Sequence, residues 1–109
     1  MRRKAIIRFE DEKLKDEFFK LKETDIKFFN QLDNTFDNIE ENAFCSIQIK
    51  KRLFPKKWKH YSNLWKYNLP NAWRLIYTIA PPDKEGKVIV LVIILDWMNH
   101  KDYEKLFGY

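Results

Sequence analysis

Arginine, histidine, lysine and tyrosine gather late in this sequence, beside apolar stretches. Arg74 lies in Trp73-Arg74-Leu75-Ile76-Tyr77-Thr78-Ile79, and His100, Lys101 and Tyr103 follow in Asp96-Trp97-Met98-Asn99-His100-Lys101-Asp102-Tyr103. Cleaving RNA by transesterification needs a base for the 2′-hydroxyl proton, cationic donors for the charge growing on the phosphate, and an acid for the leaving oxygen. Arginine suits the second task, because its planar fork holds two phosphate oxygens. Histidine is the side chain suited to act as base or acid near neutral pH, which makes His100 a candidate for proton transfer, and Lys101 can bind phosphate or donate a proton. Tyr103 can stack on a base, orient a phosphate or close the core edge. Each residue also has a structural reading: an edge-of-sheet salt bridge for Arg74, a hydrogen-bonded imidazole for His100. Asp96 and Asp102, which flank His100, read as structural or helix-capping groups. The cluster argues more strongly than any member.

Other chemistries lack their residues. The chain has no glycine-rich phosphate loop, no His-Glu-x-x-His pair and no Gly-x-Ser-x-Gly elbow. Histidine occurs only at 60 and 100, so a metal would have to rest mainly on carboxylates, and neither a metal nor a cofactor is expected. Cys45 is the single cysteine, which excludes an intrachain disulfide and a cysteine-built zinc site, and it reads as a small buried apolar residue. His60 reads as a surface group or a nonspecific RNA contact.

The elements that must position these residues divide into a helical half and a sheet half. Ala5 to Phe9 reads as a first strand. Leu14, Phe18 and Leu21, then Ile26, Phe29, Leu32, Phe36 and Ile39, follow the spacing of an apolar helical stripe, and Thr24 is a plausible N-cap inside the run. Two helices, about 12–22 and 25–40, are predicted as a hairpin sharing one core, with Phe19 and Phe28 widening the stripe. Residues 45–50 alternate weakly, which fits a short extended piece, and Leu53-Phe54-Pro55 ends regular structure. A strand is predicted over 64–69, a turn at Pro70-Asn71, and a strand over 73–80 with Trp73, Leu75, Tyr77 and Ile79 on one face and Arg74, Ile76 and Thr78 on the other. A loop over 81–86 and a central strand over 87–95 follow, then one helical turn or irregular chain at 101–106. The predicted fold class is α+β, a three- to four-stranded antiparallel sheet packed against an N-terminal helical hairpin, in one domain spanning 1–109.

Charge placement adds a surface. No acidic residue occurs between Glu41 and Asp83, while Lys50, Lys51, Arg52, Lys56, Lys57, Lys59, Lys66 and Arg74 lie in that interval. Such a half attracts a polyanion or an acidic partner, and Lys50, Lys51, Arg52, Lys56, Lys57 and Lys59 are the candidate RNA- or ribosome-binding set. The longest apolar run is far short of the roughly 20 residues of a membrane helix, and the N-terminus lacks a signal-peptide pattern. Cytoplasmic residence without membrane contact is the expectation.

Strand, helical hairpin, Leu64-Trp65-Lys66-Tyr67, Trp73-Arg74-Leu75-Ile76-Tyr77, an apolar strand and His100-Lys101-x-Tyr103 ending in Phe107-Gly108-Tyr109 resemble, in that order, the RelE/ParE toxin superfamily of toxin–antitoxin modules, most of all its archaeal-type RelE-like branch. The resemblance covers essentially the whole chain. It implies a RelE-like fold, a toxin neutralised by a cognate antitoxin, and metal-independent cleavage of mRNA in the ribosomal A site, which inhibits translation. It maps a phosphate-stabilising role onto Arg74, a strand lysine onto Lys66, and the remaining catalytic side chains onto His100, Lys101 and Tyr103. Asn68 stands where RelE-like enzymes can carry a second lysine, so His100 would carry proton transfer done elsewhere by lysine. A ParE-like inhibitor of DNA gyrase and a catalytically decayed binding protein of the same shape are the alternative readings.

Overall fold

A computed structural model describes residues 5–80 and 90–108. The order along the chain is β1 (Ala5–Phe9), α1 (Glu12–Thr24), α2 (Ile26–Glu41), β2 (Ile47–Gln48), β3 (Trp65–Leu69), β4 (Trp73–Ile79), β5 (Val90–Asn99) and α3 (His100–Phe107), with short 3₁₀ turns at Lys51–Leu53, Lys56–Trp58 and Pro70–Ala72. The predicted loop at 81–86 and the start of the last predicted strand, at 87–89, lie outside the described residues. Among those described, no helix is long and apolar enough to cross a membrane.

The two helices form where the apolar period requires them, but Thr24 is not the cap between them. Its hydroxyl donates to the Lys20 carbonyl inside α1. Asp25 does both jobs at the junction: its backbone N–H donates to Leu21 O, closing α1, and its carboxylate accepts from Phe28 N, opening α2. Aspartate accepts this bond as a charged oxygen next to the positive end of the helix, which threonine cannot do. Asp11 caps α1 in the same way through Leu14 N at 2.8 Å.

The sheet differs from the expected antiparallel one of three or four strands. It has five strands in the order β1-β5-β4-β3-β2, and it is mixed, because β1 runs parallel to β5 while the other neighbours are antiparallel. The helical hairpin returns the chain across the sheet after β1, so β1 can lie beside the last strand without a hairpin turn joining them. The fifth strand is the two-residue pairing of Ile47 and Gln48 with Lys66 and Trp65, inside the weakly alternating 45–50 segment that reads as a short extended piece.

Two apolar layers hold the sheet. On one face the hairpin residues Leu14, Phe18, Phe29, Leu32, Phe36 and Ile39 pack against Leu75, Tyr77, Val92 and Ile94. On the other, Ile76, Leu95 and Met98 meet Tyr103 and Phe107 of α3 and the segment carrying Ile49, Phe54, Trp58 and Leu64. The β4 alternation predicted from sequence therefore separates two real cores. Ile76 pairs with Asp96 and Tyr77 with Ile94, leaving Leu95 as the extra residue of a bulge. If Leu95 paired with Ile76 in regular register instead of bulging, Trp97 and not Met98 would stand opposite Arg74 and share its face. Cys45, expected to be buried, is exposed in the loop after α2. That loop is tied down instead by Tyr77, whose hydroxyl donates to Ala43 O at 2.8 Å and bonds the Ser46 hydroxyl.

Candidate cationic site on the outer face of the sheet

Strand register brings Lys66 and Arg74 together. Lys66 pairs with Ile76 and Arg74 with Asn68, so both cations lie on the α3 face as diagonal neighbours across β3 and β4. Helix α3 then supplies a floor. The Lys66 ammonium sits 5.2 Å and the Arg74 guanidinium 5.9 Å from the centroid of the Tyr103 ring, and Lys66 Nζ donates to the Tyr103 hydroxyl at 3.3 Å. Tyr103 itself is only 4% exposed, and its ring packs on Phe107 with centroids 4.5 Å apart. Both cations remain half-buried, with Arg74 also donating to its neighbour's carbonyl, Trp73 O, at 3.1 Å. Among the described residues neither has a carboxylate partner. Two cations held over one aromatic ring, with no carboxylate partner among the described residues, form a site suited to phosphate.

The position of α3 is what puts Tyr103 there. β5 runs directly into the helix with no linker, and Asn99, still paired with Trp73, accepts from Asp102 N at 2.8 Å as its N-cap. Gly108 ends the helix at φ 75°, the left-handed region open to glycine. The segment over 101–106, expected as one turn or irregular chain, is thus part of a two-turn helix. Asn99 is legible as a cap-forming residue immediately before a charged amphipathic stretch, although Asp96 and Asp102, read from sequence as structural or helix-capping groups, have the same capping chemistry. Asp96 accepts instead from Trp97 N at 2.9 Å, and burial raises its carboxyl above the usual range, with that backbone bond and the nearby Lys57 charge acting in the opposite direction.

The other candidates separate into two groups. His100 and Lys101 open α3 and are exposed. His100 Nε2 lies 2.6 Å from Glu104 Oε1, one turn further along the helix. Glu104 is absent from the residues proposed from sequence, although its i, i+4 spacing from His100 is readable there. Lys50, Lys51, Arg52, Lys56, Lys57 and Lys59 are all exposed on the segment of 3₁₀ turns. That segment reaches the sheet through Phe54 and Trp58, on the same face as Tyr103. Lys57 lies 4.6 Å over the Trp58 ring. The His60 and Tyr61 rings lie against each other at a tilt, centroids 4.1 Å apart, and the Tyr61 hydroxyl donates to Glu10 at 2.7 Å. Burial and that carboxylate push the Tyr61 phenol up to about 12. Among the described residues no three His, Cys, Asp or Glu side chains come together as a metal-holding group. Comparison of the chain with protein-family models, with curated proteins and with solved structures finds no match.

Proposed function

We propose that this chain is a toxin of the RelE/ParE kind, an endoribonuclease that needs no metal and cleaves mRNA in the ribosomal A site, held in check in the cytoplasm by a cognate antitoxin. The observation that carries the reading is the pair of cations over Tyr103, Lys66 from β3 and Arg74 from β4, without a carboxylate partner among the described residues. A scissile phosphate set there meets the Arg74 fork on two non-bridging oxygens and the Lys66 ammonium beside them. His100 takes the proton of the 2′-hydroxyl, the O2′–P bond forms, and the P–O5′ bond breaks to leave a 2′,3′-cyclic phosphate and a 5′-hydroxyl that acquires its proton from solvent. Lys101 assists phosphate binding at the start of α3. Lys50, Lys51, Arg52, Lys56, Lys57 and Lys59 give the sequence-independent attraction to RNA or ribosome.

The test is translation in vitro with mapping of mRNA 5′ ends for the wild-type chain, Arg74→Ala and His100→Ala, run with enough EDTA to remove trace metal while ribosomes stay intact. Arg74→Ala is expected to lower cleavage by roughly 10²-fold or more and His100→Ala by about 10² to 10⁴. Absence of new ends with wild type overturns the nuclease reading, and inhibition of gyrase without RNA ends replaces it by the ParE-like one.

A further inference from the structure

We infer that Glu104 is the positioning residue of His100, so that the proton carrier is a histidine–glutamate pair built on one helical turn. The inference rests on the nuclease reading given above. His100 and Glu104 stand four apart on α3, and Nε2 meets Oε1 at 2.6 Å. An ionised carboxylate only accepts, so Nε2 carries the proton in this pair and Nδ1 is left as the basic nitrogen. The arrangement reproduces the logic of a base oriented by a third group, in which the carboxylate selects the tautomer, holds the ring and stabilises the imidazolium that forms.

Helix position gives the carboxylate a second task. His100 is the first residue of α3, so a proton it accepts becomes a positive charge at the positive end of the helix. Glu104 offsets that charge from within hydrogen-bond distance. The helix is fixed at both ends, through Asn99 and Gly108, and by the buried rings of Tyr103 and Phe107, so the pair is carried on the same helix whose Tyr103 ring lies beneath the two cations. Stability does not explain the pair. The two side chains are 52% and 47% exposed, and exposed ion pairs of this kind contribute little to folding.

The experiment is a kinetic cycle on mRNA cleavage in the translation assay, using wild type, Glu104→Ala, Glu104→Gln, His100→Ala and the double variant His100→Ala/Glu104→Ala, with thermal melts of each. Glu104→Ala is expected to lower kcat by roughly tenfold or more with KM unchanged, because the carboxylate acts through the base and not on the substrate. Glu104→Gln keeps an acceptor oxygen and recovers part of the loss. The double variant is no slower than His100→Ala alone, a complete loss of additivity that a merely structural role would not produce. Wild-type kcat in a folded Glu104→Ala, or a full further loss on the His100→Ala background, overturns the inference while leaving the nuclease reading standing. A wild-type chain that makes no RNA ends overturns both.

Discussion

Tyr103 is the residue on which the outer face of the sheet depends, since its ring fills the second core and carries Lys66 and Arg74 above it. The two roles separate by substitution. Tyr103→Phe keeps the ring and is expected to lower cleavage by less than about tenfold, whereas Tyr103→Ala is expected to destabilise the fold by roughly 3 to 5 kcal/mol; denaturant melts alongside 5′-end mapping check both. Tyr77 answers to pH instead. It is fully buried, and burial pushes its phenol from 10.0 up to about 12, against the lowering effect of Ser46. A folded value above the unfolded one means the contribution is fully present below pH 10 and disappears as pH rises through the folded value. About 2 to 3 kcal/mol should therefore be lost between pH 10 and 12. Tyr77→Phe leaves the Ala43 carbonyl without its donor and costs about 1 to 2 kcal/mol at pH 7, but it removes this alkaline loss, so the two stability curves should converge between pH 10 and 12. Parallel curves in urea melts across that range would contradict the assignment. Arg74 and Tyr103 can be named from residue type alone. The fully buried phenol of Tyr77 cannot, because its partners lie in a loop more than thirty residues away.

At the scale of elements, apolar period places the helices and the two faces of β4, because each pattern is written within a dozen residues. Pairing is not local, and there the sequence is silent: nothing in residues 5–9 says that their neighbour is β5 or that the two run parallel. The bulge at Leu95 is equally hidden, since a single extra residue in a uniformly apolar strand leaves no break in pattern. Caps are half legible. Asp25 and Asn99 have the right chemistry, yet Thr24 and Asp102 close by have it too, and only backbone geometry chooses. Asn99→Ala tests the element that matters most to the site. It removes the α3 cap and is expected to destabilise by about 0.5 to 2 kcal/mol, and to lower cleavage more than an equally destabilising change at the Asp25 cap, which opens α2 on the other face of the sheet. Asn99→Ala and Asp25→Ala matched by melting temperature and compared by cleavage rate decide this; equal rates would detach α3 from the site.

For the whole molecule, the sheet divides labour by face. Helices α1 and α2 cover one side, and the cations over Tyr103 share the other with the segment that bears Lys50, Lys51, Arg52, Lys56, Lys57 and Lys59. Counting charges along the sequence announces the acid-free interval, but not that its two parts fold onto one face. Reversing several of these six charges is expected to weaken ribosome binding without changing which mRNA positions are cut, and to flatten the salt dependence by about 0.7 to 0.9 in slope for each phosphate no longer neutralised. Binding isotherms over a salt series measure it, and an unchanged slope in a folded variant would move the RNA surface elsewhere. The parallel pairing of β1 with β5 has a bearing on how the chain is made. β5 lies between β1 and β4 and follows both along the chain, so until residues 90–99 have left the ribosome neither strand has this neighbour and β4 has an open edge. Pairings between strands this far apart in sequence form late and slowly. Tyr103 arrives later still, which means that a nascent chain grown only through β5 carries Lys66 and Arg74 without their aromatic floor.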